Sequence, residues 1–252
     1  MKLLLDIGNS RIKWTYQAGP DLVEYGSVGH AGQPPEAAAR FVDRLPHAPT
    51  AVGAVNVAGA ELGGAVSAKI RRLFDVQVDT VSVAASWGPL RNGYTDFRQL
   101  GADRWAAMVG AWCRHSGAGS LLVVDAGTAL TVDAVAADGQ HRGGLIVPGL
   151  SLMQSTLGQA TSDVARFADA TPRGESAGDG WLGTSTREAT ASGARVALCA
   201  LVQHSVRELE QPVRVVLTGG DAAELAAGLP DATEVRPLLV LEGLQQLLAE
   251  PD

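Results

Sequence analysis

A carboxylate followed by small residues is the first feature of this sequence that could do chemistry. Asp6 comes directly after an apolar run at residues 3–5 and is followed by Gly8 and Asn9. Such a turn can direct backbone N–H groups at phosphate oxygens, while the carboxylate holds a magnesium ion directly or through water. Lys13 follows one short strand later. In isolation, however, an Asp-x-Gly-Asn turn more often serves only to close a hairpin.

A similar turn in the second half of the chain changes that balance. An apolar run at residues 121–124 leads into Asp125, Gly127 and Thr128. These supply a second carboxylate, a point of close backbone approach and a hydroxyl. Two such turns facing each other across a cleft could hold a polyphosphate from both sides. The pair therefore favours a phosphate-binding function over two unrelated hairpins.

A glycine pair late in the chain adds a third turn of interest. Gly219 and Gly220 follow an apolar run at residues 213–218, and Asp221 could cap a helix that begins after them. Glycines at this point would let the backbone approach a planar or anionic ligand. The three turns together resemble the layout of the acetate kinase, sugar kinase, Hsp70 and actin superfamily.

The segment at residues 101–104, Gly-Ala-Asp-Arg, begins a predicted helix and carries two charges side by side. Asp103 could act as a general base on an alcohol, and Arg104 could hold an acidic substrate or stabilise developing phosphoryl charge. On spacing alone the alternative is equally simple. Asp103 would then complement the helix dipole and Arg104 would be its solvated neighbour.

The elements that must position these residues alternate between strands and helices. The turns after Asp6 and Asp125 each join two strands into a hairpin. Helices are predicted over residues 35–45, 63–74, 101–114, 150–158, 186–210, 222–228 and 239–249, and further strands over 51–57, 76–83 and 213–218. This alternation predicts an α/β fold of two related halves, residues 1–117 and 118–252. A Gly-rich, Ser-rich and acidic stretch at residues 169–183 is predicted to be a loop.

The composition narrows the function classes. A net charge of −7 argues against the basic surface that nucleic acids or anionic membranes require. No apolar run reaches the roughly 20 residues of a membrane span, and Asp6 comes too early for a signal peptide. Cys113 and Cys199 lack metal-ligand spacing, so we expect buried free thiols. We therefore expect a cytoplasmic protein without nucleic-acid or membrane partners.

Four motifs occur in the order found in type III pantothenate kinases, which the sequence resembles over nearly its whole length. They are residues 6–13 (DIGNSRIK), 101–104 (GADR), 125–133 (DAGTALTVD) and 143–149 (GGLIVPG). The resemblance implies ATP-dependent phosphorylation of pantothenate, the first step of coenzyme A synthesis. It also implies an actin-like fold, with two ribonuclease-H-like halves and ATP in the cleft between them.

The resemblance further assigns roles to residues. ATP would be bound by Asp6, Ile7, Gly8, Asn9, Ser10, Arg11, Ile12, Lys13 and Thr128. Pantothenate would be bound by Tyr94, Gly101, Ala102, Asp103, Arg104 and Thr186. Asp103 would be the catalytic base, and Asp125 would bind a monovalent cation, K⁺ or NH₄⁺. Mg²⁺ would accompany ATP.

The resemblance also implies a homodimer with the substrate pocket at the interface between the two chains. The apolar residues 143–149 would help to build that pocket. An internal strand and turn is the alternative for that segment. Ser10, Phe97 and Ser185 depart from the threonine, proline and asparagine that are usual in the family.

Two other functions stay open at this stage: a kinase of the same superfamily acting on another small alcohol, and a non-catalytic regulatory factor. The presence of Asp6, Lys13, Asp103 and Asp125 together favours an active enzyme over a regulator, because a regulator needs neither a positioned base nor a cation site.

Overall fold

The computed structural model describes residues 1–30, 33–160 and 181–249, without the side chains of 158–160. The chain forms two compact units. The first comprises Met1–Gly117, Ala137–Arg142 and the chain from Leu238 onward, and the second comprises Ala118–Ala136 and Gly143–Pro237. The predicted halves, residues 1–117 and 118–252, are each continuous. In the structure, by contrast, residues 137–142 and the chain from Leu238 onward belong to the first unit.

The elements of both units are numbered along the chain. The strands are β1 (Lys2–Ile7), β2 (Arg11–Ala18), β3 (Asp21–Gly29), β4 (Ala51–Asn56), β5 (Val78–Thr80), β6 (Ser86–Trp87), β7 (Leu90–Arg91), β8 (Ser120–Ala126), β9 (Ala129–Val135), β10 (His141–Pro148), β11 (Val213–Thr218) and β12 (Glu234–Val235). The helices are α1 (Pro34–Val42), α2 (Ala60–Phe74), α3 (Ala102–His115), α4 (Leu150–Ala160), α5 (Thr186–Arg207), α6 (Ala222–Ala226) and α7 (Leu239–Leu247).

The two large sheets have the same topology. Their strand orders are β3-β2-β1-β4-β5 and β10-β9-β8-β11-β12. In the first sheet, β1 pairs antiparallel with β2 and parallel with β4. In the second sheet, β8 pairs in the same way with β9 and β11. The repeat that the two hairpins indicate is therefore a repeat of the whole sheet.

The packing of each unit follows from alternation along its central strand. Leu3, Leu5 and Ile7 of β1 point to one face, where they form a core with α1 and α2. On the other face, α3 and α7 pack against each other and against the sheet. In the second unit, the core instead joins alternate residues of β8 and β11 to α4, α5 and α6.

The predicted hairpins, β1–β2 and β8–β9, are confirmed, and each predicted helix forms with ends shifted by a few residues. Strand β3 is not predicted from the sequence, because it is an edge strand with largely exposed residues and so lacks an apolar alternation. For residues 143–149 a strand is the alternative interpretation, and the structure forms it as the edge strand β10. Residues 143–149 thus lie mainly in β10. Most of the loop predicted at 169–183 lies outside the described residues.

Two further expectations concern the surface. Cys199 is buried as predicted, but the prediction for Cys113 is wrong: its side chain is exposed near the C-terminal end of α3, on the side of the helix away from the core. Within the part of the chain that the structure describes, no helix has the length and hydropathy to cross a membrane.

Candidate active site

The first hairpin places a carboxylate opposite an ammonium group. Antiparallel pairing of β1 with β2 makes Asp6 and Lys13 direct cross-strand partners. Lys13 Nζ lies 3.6 Å from Asp6 Oδ2, and Asp6 is only 5% exposed. The turn between the strands is closed by Gly8, whose N–H donates to the Arg11 carbonyl at 3.0 Å. The first hairpin therefore carries, on its two neighbouring strands, both charges that a phosphate-binding turn needs.

Of the eight residues in the first hairpin that are predicted to bind ATP phosphates, some have exposed side chains and others only an available backbone. Asn9, Ser10 and Arg11 are exposed, whereas the side chains of Ile7 and Ile12 are buried in the core and leave only their backbone for a ligand. The Arg11 guanidinium donates to Ser27 Oγ at 2.7 and 3.2 Å. Lys13 is thus the cation of this motif that stands beside the carboxylate.

His30 supports the same turn and was not predicted. Its Nε2 lies 2.6 Å from the Gly8 carbonyl oxygen, and its backbone N–H donates to the Ser10 carbonyl at 3.2 Å. The contact joins the end of β3 to the turn. A histidine so far along the chain gives no local signal, because only the pairing of β2 with β3 brings it there.

The start of α3 builds the second candidate motif. Gly101 is the N-cap residue, and Asp103 Oδ1 accepts the N–H of Arg104 at 2.7 Å. A Cβ at Gly101 would lie 2.5 Å from Asp103 Oδ1, so glycine leaves the space that the carboxylate occupies. Ala102 is the first helical residue, and the helix N-terminus favours a negative charge at Asp103.

Arg104 joins this helix to Tyr94. Its side chain is 6% exposed, and Nη1 donates to the Tyr94 hydroxyl at 2.9 Å. The structure therefore brings together Tyr94, Asp103 and Arg104 within the first unit.

The segment between Tyr94 and α3 accommodates the departure at Phe97. Residues Phe97–Gln99 form a short 3₁₀-helix, which Asp96 caps by accepting the Arg98 N–H at 3.2 Å. Phe97 occupies the first helical position, where a proline is also well accepted because that N–H has no partner within the helix. Both residues therefore suit this position.

The second hairpin repeats the arrangement of the first in the second unit. Asp125 is the penultimate residue of β8, Gly127 closes the turn by donating to the Ala129 carbonyl at 3.0 Å, and Thr128 is exposed at its tip. Strand register places Asp125 between Thr131 and Thr218. Thr218 is 1% exposed, and among the described residues its hydroxyl has no hydrogen-bond partner. Three residues with oxygen-bearing side chains thus lie side by side on one face of the sheet.

Two glycines outside the hairpin pack directly on this turn. A Cβ at Gly149 would lie 2.0 Å from the Gly127 carbonyl oxygen, and a Cβ at Gly219 would lie 2.5 Å from Asp125 Oδ1. Asp221 follows, and burial raises the pKa of its carboxyl group. The prediction that Asp221 caps the helix is corrected: it is the N-cap residue of α6, but its side chain makes no capping hydrogen bond.

Substitution of Gly219 tests this packing. Gly219 has a φ of +100°, and an added Cβ would lie 2.3 Å from the Ala126 carbonyl oxygen. We expect Gly219→Ala to lower the free energy of unfolding by about 1–3 kcal/mol through backbone strain, measured by denaturant unfolding. Gly220→Ala is the matched control, since its Cβ would meet nothing within 4 Å. Equal stability of the two variants would contradict the prediction.

Thr186 lies in the second unit, exposed at the first position of α5. The preceding Ser185 caps the helix by accepting the Glu188 N–H at 3.2 Å. Glu188 Oε2 in turn accepts the Thr184 N–H at 2.7 Å, and this bond holds the pKa of Glu188 below its ordinary value. Serine and asparagine are both strong N-cap residues, so the departure at Ser185 preserves the start of the helix.

Comparison with known proteins shows which protein family has these motifs. The family model described as type III pantothenate kinase matches residues 2–208. The chain belongs to the type III pantothenate kinase family. The type III pantothenate kinase of Azoarcus sp. (strain BH72) is 38% identical over 99% of this chain and 91% of its own length. That of Chromobacterium violaceum is 38% identical over 97% of this chain and 98% of its own.

A solved structure confirms the fold. A putative 2-dehydro-3-deoxygalactonokinase from Sinorhizobium meliloti aligns with a TM-score of 0.60 over 98% of each chain, at 15% sequence identity. Similarity at that level of identity concerns the fold alone. Together with the two five-stranded sheets of equal topology, it confirms the predicted α/β fold with duplicated ribonuclease-H-like, actin-like domains. Membership of the type III pantothenate kinase family confirms the resemblance drawn from the motifs.

Proposed function

We propose that this chain transfers the γ-phosphoryl group of ATP to the primary hydroxyl of pantothenate, the first step of coenzyme A synthesis. The observation that carries the proposal is the cluster at the start of α3, where Asp103 stands next to the buried Arg104 and its partner Tyr94. Membership of the family supplies the substrate. The intact acidic and basic residues favour an enzyme over a non-catalytic factor.

In the proposed mechanism, Asp103 accepts the proton of the pantothenate hydroxyl as its oxygen attacks the γ-phosphorus in line. The hydrogen bond from the Arg104 N–H leaves the carboxylate oriented in the first turn of the helix. The buried positive charge of Arg104 favours an anionic ligand, and pantothenate carries one carboxylate. Tyr94, Gly101 and Ala102 are further residues proposed to bind pantothenate, and the same role is proposed for Thr186 of the second unit.

Residues 6–13 receive the phosphates of ATP in this proposal, with Thr128 as a further contact. Lys13 lies beside the Asp6 carboxylate and would offset negative charge on the phosphates. Mg²⁺ usually binds through one or two carboxylates together with phosphates and water, and Asp6 fits that role. When bound, the metal would neutralise phosphate charge.

Asp125 is proposed to hold a monovalent cation, K⁺ or NH₄⁺. The fit rests on its neighbours, because the Thr131 and Thr218 hydroxyls flank the carboxylate in the strand register. The buried Thr218 hydroxyl, without a hydrogen-bond partner in the described part of the chain, gives an oxygen that a cation could coordinate. Such a cation would offset the repulsion between a carboxylate and phosphates.

A substrate panel tests the proposal against its nearest rival, a kinase for another small alcohol. ADP release is measured with pantothenate, glycerol and several sugars as acceptors, each with and without enzyme. We expect pantothenate to give the highest kcat/KM by at least about a hundredfold, which corresponds to about 2.7 kcal/mol of transition-state discrimination. A sugar that exceeds pantothenate would overturn the assignment of the substrate.

We also propose that the enzyme is a homodimer. Leu145 and Ile146 are adjacent on β10, so they point to opposite faces of an edge strand, yet they are 44% and 62% exposed. Leu152 and Leu157 of α4 are exposed as well. Exposed apolar groups of this kind support association, and an obligate interface would bury more than about 2,000 Å² in total.

The variant Ile146→Asp is expected to give an inactive monomer. Because Ile146 is exposed in the single chain, a carboxylate there should leave the fold intact but would be stranded unpaired in an interface. Light scattering reports the mass, and circular dichroism checks the fold. Leu73→Asp is the matched control, since Leu73 is 49% exposed on α2 and should tolerate the same charge. A fully active wild-type monomer at micromolar concentration would contradict the proposal.

A further inference from the structure

The ring of Tyr94 is held by a residue that lies far from it in the sequence. The imidazole of His141 stacks on the phenol ring, with ring centroids 5.8 Å apart and an angle of 14° between the planes. His141 is 1% exposed, so packing fixes its orientation. Tyr94 is thereby held at its face by His141 and at its hydroxyl by Arg104.

His141 also fixes the backbone next to Tyr94. The Gly93 N–H donates to His141 Nδ1 at 3.3 Å. A Cβ at Gly93 would lie 2.0 Å from the His141 carbonyl oxygen, so only glycine lets the two backbones come this close. The ring and the main chain of the Tyr94 segment are therefore set by one residue.

The segment that carries His141 is itself anchored to the chain just before Tyr94. Arg91 N–H donates to the Gly139 carbonyl at 2.9 Å, and Arg91 Nη2 lies 3.0 Å from Asp138 Oδ2. Gln140 Nε2 donates to the His141 carbonyl at 2.9 Å. Residues 138–141 thus form a firm support for the Tyr94 loop.

We propose that His141 is a positioning residue for pantothenate: its stacked ring holds Tyr94, and through the Tyr94 hydroxyl the Arg104 guanidinium, in the orientation that receives the substrate. This inference rests on the proposed function and deepens it. His141 acts through Tyr94 and needs no contact with the reacting atoms. Its loss should therefore weaken pantothenate binding while leaving ATP binding and the chemical step largely unchanged.

Three variants separate the stacking of His141 on Tyr94 from its acceptance of the Gly93 N–H. His141→Phe keeps a ring for stacking and removes the acceptor for the Gly93 N–H. His141→Asn keeps an acceptor and removes the stack, and His141→Ala removes both. His204→Ala is the control, because that histidine is exposed on α5. Steady-state kinetics give KM for each substrate and kcat, and circular dichroism checks the fold.

We expect His141→Ala and His141→Asn to raise KM for pantothenate about tenfold, equivalent to about 1.4 kcal/mol, with KM for ATP and kcat within about threefold of wild type. His141→Phe should stay within about threefold for all three constants because aromatic stacking is retained. Unchanged pantothenate KM in His141→Ala, or rescue by Asn rather than Phe, would overturn the role of the stacked ring. A wild-type chain that does not phosphorylate pantothenate would instead overturn the proposed function, and this inference with it.

Discussion

Replacement of Asp103 by asparagine is expected to lower kcat by roughly 10² to 10⁴, the usual contribution of a general base. Asparagine has the same shape, and its side-chain oxygen can still accept the Arg104 N–H that Asp103 accepts at 2.7 Å. Only the charge and the proton acceptor are lost. A large loss of kcat with a preserved structure would therefore show that the Asp103 carboxylate takes part in the chemical step.

The measurement combines steady-state kinetics with calorimetric binding of ATP and pantothenate, which should change little. Asp96→Asn is a matched control, because Asp96 also accepts a backbone N–H at the start of a helical turn, only a few residues before Asp103. It should retain wild-type activity. An Asp103→Asn enzyme with kcat within about threefold of wild type would remove Asp103 from the role of base.

Loss of the Asp125 carboxylate is expected to have the second large effect. Asp125→Ala should lower activity by about tenfold or more, equivalent to about 1.4 kcal/mol in the barrier, and the remaining rate should no longer respond to K⁺ or NH₄⁺. The reason is electrostatic: the cation that would screen phosphate charge loses its only charged ligand in the proposed site.

Rates are compared in potassium, ammonium and sodium-only buffers at constant ionic strength. Asp231→Ala removes an exposed carboxylate from the same unit and serves as the control for net charge. It should keep both the activity and the cation response of the wild type. Equal wild-type rates in sodium-only and potassium buffers would count against a monovalent cation at Asp125.

Much of this fold could be predicted from local sequence. Asp6 and Asp125 each lie one residue before the end of a buried strand and precede a glycine turn, so the hairpins are encoded within a few residues. The helices α1, α2, α3 and α7 follow apolar periodicity. The edge strands β3 and β10 carry no such pattern, because a strand with one open edge and exposed faces has few positions that must be apolar.

The supports of the site could not be predicted in the same way. His30 contacts Gly8 across 22 residues, and the Gly93 N–H contacts His141 across 48. Neither histidine belongs to a motif or a periodic face, and each reaches its partner only through pairing of distant segments. Chemistry-bearing residues can be recognised by type and spacing, whereas the residues that hold them in place depend on tertiary contacts.

The proposed kinase activity is tested most directly by measuring ADP release by the purified wild-type chain with ATP and Mg²⁺, with and without pantothenate. Phosphorus NMR then identifies the products. We predict ADP release that depends on pantothenate and one new phosphomonoester on its primary hydroxyl for each ADP formed. ADP release that is unchanged by pantothenate, or no phosphorylated pantothenate in the product mixture, would contradict this prediction.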